Sequence, residues 1–346
     1  MSTRTRSRLG KLAASAAAVV AATVAVSACG TGGGGAADGG TTLSLVGYSV
    51  PKAAYGALEK TWAKTPGGEG VRWKESYGAS GDQSRAVESG LKADYVHFSL
   101  ETDVTRLVKA GLVADDWNTG PTKGMVSDSV VVLAVRKGNP KGIKSWDDLV
   151  KPGVSIVTPN PGSSGSARWN ILAAYGQVIA AGGSEADAEA YLKKFFTNVA
   201  ALPGSGRDAT TAFTSGTGDV LISYENEAIL ARQSGEDLDY VVPDTTMLIE
   251  NPGAVLKDAD PKAKKWLDYL LSKEGQTEFV KKGFRPVIDG VSVDVKGAND
   301  PTQPFPEPKK LLTITDDFGG WKAAADKFFD ENDGLITRIQ KETGKS

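Results

Sequence analysis

Short apolar runs alternate with amphipathic stretches along most of the chain. Runs at 43–46, 71–77, 93–98 and 129–136 read as strands, because their apolar residues either follow one another or alternate with polar ones. Between them, 53–63, a segment opened by GASGDQ and running to Leu91, and 103–110 carry apolar residues every three or four positions, the spacing of a helix with one buried face. The pattern continues with strands at 154–157, 219–223, 240–242 and 246–249, and helices at 146–149, from Ser164 onward, 185–196, 208–213 and 225–233. Helices at 261–271, 275–281 and 321–330 follow. Such alternation predicts an α/β fold with largely parallel sheets. The most apolar strand, SVVVLAVR at 129–136, reads as the crossing from a first lobe into a second, and the strands at 240–242 and 246–249 as the return. The expected division is 43–132 with 246–346 as one lobe and 133–245 as the other.

Four strand-to-helix junctions carry serine or glycine where the helix begins: Ser49 in GYSVP, Ser80 in YGASGDQ, Ser164 in PGSSGSARW and Gly206 in PGSGRDA. At the third, Val154, Ile156 and Val157 form a strand that Pro159 and Pro161 stop, and Trp169, Leu172, Ala173, Gly176 and Ile179 then recur at helical spacing. Ser164 falls at the N-cap position. The first turn of such a helix presents N–H groups without intrahelical acceptors at the positive end of the helix dipole, a setting for an anion. Gly165 lets the main chain approach a ligand closely, and the hydroxyls of Ser163, Ser164 and Ser166 add donors. An ordinary strand, turn and serine-capped helix would carry the same residues, so this stretch alone leaves both readings open. Taken together, the four corners favour the first. In open α/β sheets the ligand lies beyond the carboxyl ends of the strands, where such corners converge. Two fall in each expected lobe, which predicts a cleft that closes over a small anion.

Composition bears on where the chain works. Arg4, Arg6, Arg8 and Lys11 precede an alanine- and valine-rich run at 12–28, the pattern of an export signal and too short for a confident membrane span. The run ends in VSAC, which resembles the lipobox of bacterial lipoproteins, with Cys29 as the lipidated first residue of the mature chain. Cys29 is the only cysteine, so an intramolecular disulfide is excluded; a free thiol within an uncleaved signal is the alternative. Residues 29–42 then read as a glycine-rich tether with a reach of roughly 20 Å. Without residues 1–28, 36 basic residues face 42 acidic ones, and that acidic balance argues against nucleic acid.

The segments TPNPGSSGSARWNILAA, VRKGNPKGIKSWDDLVKPGVS and GDVLISYENEAILA resemble the sulfate-binding proteins of bacterial ABC importers, and the resemblance covers nearly all of 43–336. It implies the two-lobed type II periplasmic-binding fold, with a desolvated sulfate dianion held in the interlobe cleft almost wholly by neutral donors. It further implies an extracytoplasmic protein without cofactor or metal, expected as a monomer, that delivers its ligand to a membrane permease and a separate ATPase. The chain itself has no Walker A motif. The family's ligand positions fall on Ser49, Ser80, Ser164, Gly165, Ser166, Gly206 and Tyr224. Ser49 stands in place of an aspartate that acts through its main chain, Ser166 in place of a glycine, and Tyr224 in place of a tryptophan whose indole N–H donates.

Other functions are possible on such a scaffold. A serine hydrolase lacks its signature here, since GSSGS has no final glycine of a nucleophile elbow. His97, the sole histidine, lies inside an apolar strand and reads as a packing residue; without a second histidine or an available thiol, neither a zinc site nor a Cys/His pair can be assembled. Glu225 and Glu227 could be drawn as an acid/base pair, but read better as capping and solvating the helix they begin. Arg168 and Arg207 follow two corners, either polarising the peptide donors behind an anion or pairing with surface acids. Phosphate, which keeps a proton near neutral pH, calls for a buried acceptor such as aspartate, and none of the assigned positions is acidic. Thiosulfate and molybdate remain alternative cargoes.

Overall fold

A computed structural model describes residues 40–345, so the expected export signal, Cys29 and the tether up to residue 39 lie outside the described residues. In chain order the elements are β1 (Thr42–Tyr48), α1 (Lys52–Trp62), β2 (Arg72–Gly78), α2 (Ser80–Glu88), β3 (Tyr95–His97), α3 (Glu101–Lys109), β4 (Met125–Arg136), α4 (Trp146–Leu149), β5 (Ile156–Val157), α5 (Gly165–Ala180) and α6 (Glu185–Asn198). They continue as β6 (Val199–Ala201), α7 (Gly206–Thr214), β7 (Val220–Tyr224), α8 (Glu225–Gln233), β8 (Leu238–Val241), β9 (Thr245–Val255), α9 (Pro261–Leu270), α10 (Lys273–Lys281), β10 (Lys310–Leu312), α11 (Ile314–Phe318), α12 (Gly320–Phe328) and α13 (Leu335–Thr343).

The strands join in the order β2-β1-β3-β9-β4-β7-β5-β6, with β10 on β9 and β8 on β4. The two outer groups, β2-β1-β3 and β7-β5-β6, are each parallel. In the middle, β4 and β9 run antiparallel to each other and to their outer neighbours. The fold is therefore a mixed α/β sheet and not a largely parallel one. Strands that carry the chain out and back side by side must run in opposite directions. Along β4, residues up to Val130 pair with β9, and from Val131 onward the partners are β7 and β8. Residues 130–135 are all buried, which is why this strand reads as a continuous apolar run without alternation.

β9 is longer than its apolar pattern predicts, because Asn251-Pro252-Gly253 reads as a turn and is instead strand. Pro252 sits opposite a register shift in β4, a place where its missing N–H does no harm, and its carbonyl accepts the Phe98 N–H. Gly253 is set by a neighbour: a Cβ there would come within 2.2 Å of the Tyr95 hydroxyl.

Among the helices that cover the sheet, two sets join distant parts of the chain. α9 and α10 pack on α1, where Tyr55 contacts Trp266 and Phe279 and Trp62 lies 4.9 Å from Trp266. α5 and α6 are covered from outside by the last helices: Trp321 of α12 meets Trp169 of α5 edge-on at 4.5 Å, and α13 runs against α6. The helical pattern of 321–330 announces a buried face, but not which surface it meets. His97 is fully buried, with Nδ1 2.8 Å from the Tyr55 hydroxyl, and burial lowers its pKa to about 3, so it is neutral and packed.

Candidate functional site

The four corners meet. Ser49, Ser80, Ser164, Gly165, Ser166 and Gly206 line one small cavity with Tyr48, Val50, Gly78, Ala79, Ser99 and Ser205, and none of these side chains is charged. The seventh expected residue, Tyr224, is fully buried just behind the wall, its hydroxyl 2.7 Å from Ser99 Oγ. The cavity is small, with a volume of ≈ 10 Å³. A far roomier cavity, ≈ 520 Å³, lies between α5 and the last helices. Its charged rim is self-paired, Glu185 with Lys327 and Lys310 with Asp317, and the helix that starts there, α6, is already capped by Ser184.

What the small cavity offers follows from how its helices start. Ser164 occupies the N-cap of α5, yet its side chain accepts no capping hydrogen bond. Ala79 before α2 and Tyr224 before α8 likewise provide none. By contrast, Ser184, Asp260 and Ser272 cap α6, α9 and α10, and Ser205 caps α7 by accepting from the Asp208 N–H. Buried helix starts that lack a side-chain cap leave first-turn N–H groups in need of an acceptor. Ser166 adds a buried hydroxyl that lies beside the Tyr224 phenol but makes no hydrogen bond of good geometry among the described residues. A buried donor without a partner is costly unless something else meets it. Gly165 cannot be otherwise, since a Cβ would fall 2.5 Å from Ser99 Oγ and 2.7 Å from Leu100 Cγ.

Two expected donors are committed elsewhere. The Ser49 N–H donates to Gly78 O at 2.9 Å, so the main-chain role implied for Ser49 is occupied, and its hydroxyl, 3.3 Å from Ser205 Oγ, is what faces the cavity. Ser80 Oγ donates to Asp103 Oδ2 at 2.6 Å and accepts the Ser99 N–H at 2.9 Å, leaving Ser80 only its main chain. Burial raises the Tyr224 phenol above its ordinary range, with the neighbouring Ser99 hydroxyl, Asn251 amide and Ser166 hydroxyl pulling the other way, so Tyr224 is a neutral hydroxyl.

Charged side chains stand behind the walls, where other protein groups hold them. Arg207 Nη2 donates to Glu227 Oε1 at 2.6 Å and to the Val50 carbonyl at 3.0 Å. Arg168 Nε donates to Pro161 O at 3.1 Å, its guanidinium 5.0 Å from the Phe329 ring. Glu225 and Glu227 do not solvate α8; they are 0% and 2% exposed, and each is paired with an arginine, Glu225 with Arg285 at 2.8 Å. The start of α8 is buried, so its carboxylates need partners from other elements, which the local pattern does not reveal. Burial raises both carboxyls, and Arg285 and Arg207 draw them back.

Sequence reasoning missed Ser99, Tyr48 and Asn251. Ser99 sits at a fifth corner, between β3 and α3, without the glycine that marks the others; its place one residue beyond an apolar strand was the available signal. Asn251 lies beyond the apolar run at 246–249, the part of β9 that the sequence pattern marks.

Residues 43–285 match the family described as bacterial extracellular solute-binding protein. A sulfate-binding protein from Synechococcus elongatus is 41% identical over 310 residues, covering 86% of each chain. A thiosulfate-binding protein from Pseudomonas aeruginosa is 40% identical over 241 residues, 66% of this chain and 72% of that one. Among solved structures, the sulfate-binding protein SubI from Mycobacterium tuberculosis H37Rv superposes with a TM-score of 0.79 at 42% identity, covering 84% of this chain and 100% of the other. With the fold and the converging corners, these matches mean that the chain belongs to the bacterial extracellular solute-binding protein family, whose members bind substrates for transport and are not enzymes.

Proposed function

We propose that the protein captures sulfate in the serine-lined cavity, between a lobe of 43–132 with 246–346 and a lobe of 133–245, and hands it to a membrane permease driven by a separate ATPase. The observation that carries this reading is the donor set. Uncapped starts of α2 and α5, the Ser166 hydroxyl and a wall without charged side chains suit an anion that accepts from every direction. Sulfate is such an anion at neutral pH. Hydrogen phosphate must find an acceptor for its own proton, and leaving that group buried and unpaired costs about 1–3 kcal/mol. The sulfate-binding relatives support the same ligand. Thiosulfate is the second reading, favoured by the 40% identical thiosulfate-binding relative, and a calorimetric panel of sulfate, thiosulfate, molybdate and phosphate separates the candidates.

Tyr224 supplies one donor from behind Ser99 in this reading. Tyr224→Phe keeps the ring and removes only the hydroxyl, so sulfate binding is expected to weaken by about ten- to a hundredfold, roughly 1.5–3 kcal/mol. Unchanged affinity would move the site elsewhere.

The same reading places the protein outside the cytoplasm as a monomer held by lipid on Cys29. Two acyl chains give stable anchoring where one gives only reversible binding. Intact mass of membrane-extracted protein should correspond to a lipidated chain beginning at Cys29; an unmodified mature chain free in the medium would overturn the anchor.

A further inference from the structure

Ser99 ties three sides of the cavity together. Its N–H donates to Ser80 Oγ at 2.9 Å, and its carbonyl accepts from Trp169 Nε1 at 2.9 Å and Asn251 Nδ2 at 3.2 Å. Its Oγ lies 2.7 Å from the Tyr224 hydroxyl, with both side chains all but excluded from solvent. The amide of Asn251 is itself held, because its Oδ1 accepts the Tyr48 hydroxyl at 2.8 Å. That leaves Nδ2 facing Ser99. Trp169 and Tyr224 come from 133–245 and Ser99 from 43–132, so these bonds run between the two proposed lobes.

The hydroxyl pair can be arranged in two ways, and they differ at the cavity. A phenol has one hydrogen. If Tyr224 donates it to Ser99, Tyr224 can present only lone pairs to a ligand. If Ser99 donates instead, the phenol hydrogen is free to reach the cavity. We infer that Ser99 is a positioning residue for selectivity: its hydroxyl donates to the phenol oxygen and thereby holds Tyr224 as a donor toward a fully deprotonated oxyanion. This rests on the proposed sulfate site. The one side-chain partner of the Ser99 hydroxyl among the described residues is the phenol oxygen. A chain of hydrogens running from Ser99 to Tyr224 to the anion uses each donor once, in one direction, and such chains polarise one another. Without the Ser99 hydroxyl the phenol can turn and offer a lone pair, adding an acceptor for the proton of a protonated oxyanion to a wall that holds no carboxylate.

The test is a double-mutant cycle read by calorimetry with sulfate and with phosphate. Ser99→Ala should weaken sulfate binding about tenfold in the wild-type background and less than about threefold in the Tyr224→Phe background. Sulfate-to-phosphate discrimination should narrow in Ser99→Ala. Ser99→Cys, which keeps the shape with a weak S–H donor, should fall between alanine and serine. A residue that only filled space would weaken binding equally in both backgrounds, and that result would overturn the inference, as would full sulfate affinity or unchanged discrimination in Ser99→Ala. If Tyr224→Phe alone leaves sulfate binding unchanged, the placement of the site fails, and the inference with it.

Discussion

Ser166→Asp should reduce sulfate affinity by roughly a thousandfold or more. Ser166 is buried at the cavity wall with its hydroxyl unpartnered, so an aspartate there would place a carboxylate beside a dianion with little water between them. At an effective dielectric of about 20, two unit charges 4 Å apart repel by about 4 kcal/mol, and sulfate carries two. The aspartate can escape only by taking up a proton. Sulfate remains a dianion on mild acidification, so part of the lost affinity should return as pH falls toward 5. Ser166→Ala is the control for the hydroxyl alone and should cost about 0.5–1.5 kcal/mol. Calorimetric titration at pH 7.5 and 5 decides the matter, and an Asp variant within tenfold of wild type would remove Ser166 from the wall of the site.

Arg285→Met should produce the largest loss of stability. Arg285 meets Glu225 through Nε at 2.8 Å and Nη2 at 3.4 Å, and Glu225 is fully buried. Removing one partner of a buried pair leaves the other charge without compensation, at a cost of about 3–5 kcal/mol. In a chain of this size that is a fall in melting temperature on the order of 10 °C. The sign with pH follows from the carboxylate. Without Arg285 the Glu225 carboxyl is raised further, so the variant binds a proton on folding and its deficit should shrink as pH falls toward 5. Adding Glu225→Gln to Arg285→Met should recover most of the loss. A melting temperature within 2 °C of wild type for Arg285→Met would mean that the pair contributes little.

These two residues also mark where the sequence is legible and where it is not. Ser166 belongs to a corner written in consecutive residues: prolines end a strand, small residues turn the chain, and a helical apolar face follows. The requirement is local, and so is its signature; all four corners converge as their pattern implies. Arg285 is sixty positions from Glu225, and nothing around either residue announces the other. Glu225 and Glu227 look like the acidic first turn of a solvated helix because that turn is acidic whether or not something covers it. The same limit explains β9, where Asn-Pro-Gly spells a turn, and only Tyr95 and the register shift in β4 make it a strand. Ser80 illustrates a finer version. Its position at the cavity was readable, but the loss of its hydroxyl to Asp103 depends on how α3 packs.

The cover of the second helix set reaches into how the chain acquires its structure. α5 and α6 arise in the middle of the sequence, whereas Trp321 and α13, which close over them, come much later. During synthesis, Trp169 and the outward apolar side chains of both helices are therefore completed well before the surface that shields them exists. Contacts of such long sequence separation form slowly, since the intervening loop must be ordered before they contribute. The interval between those two events is when this protein is most exposed to self-association, and α5, whose first turn forms part of the cavity wall, is the element left uncovered while it lasts.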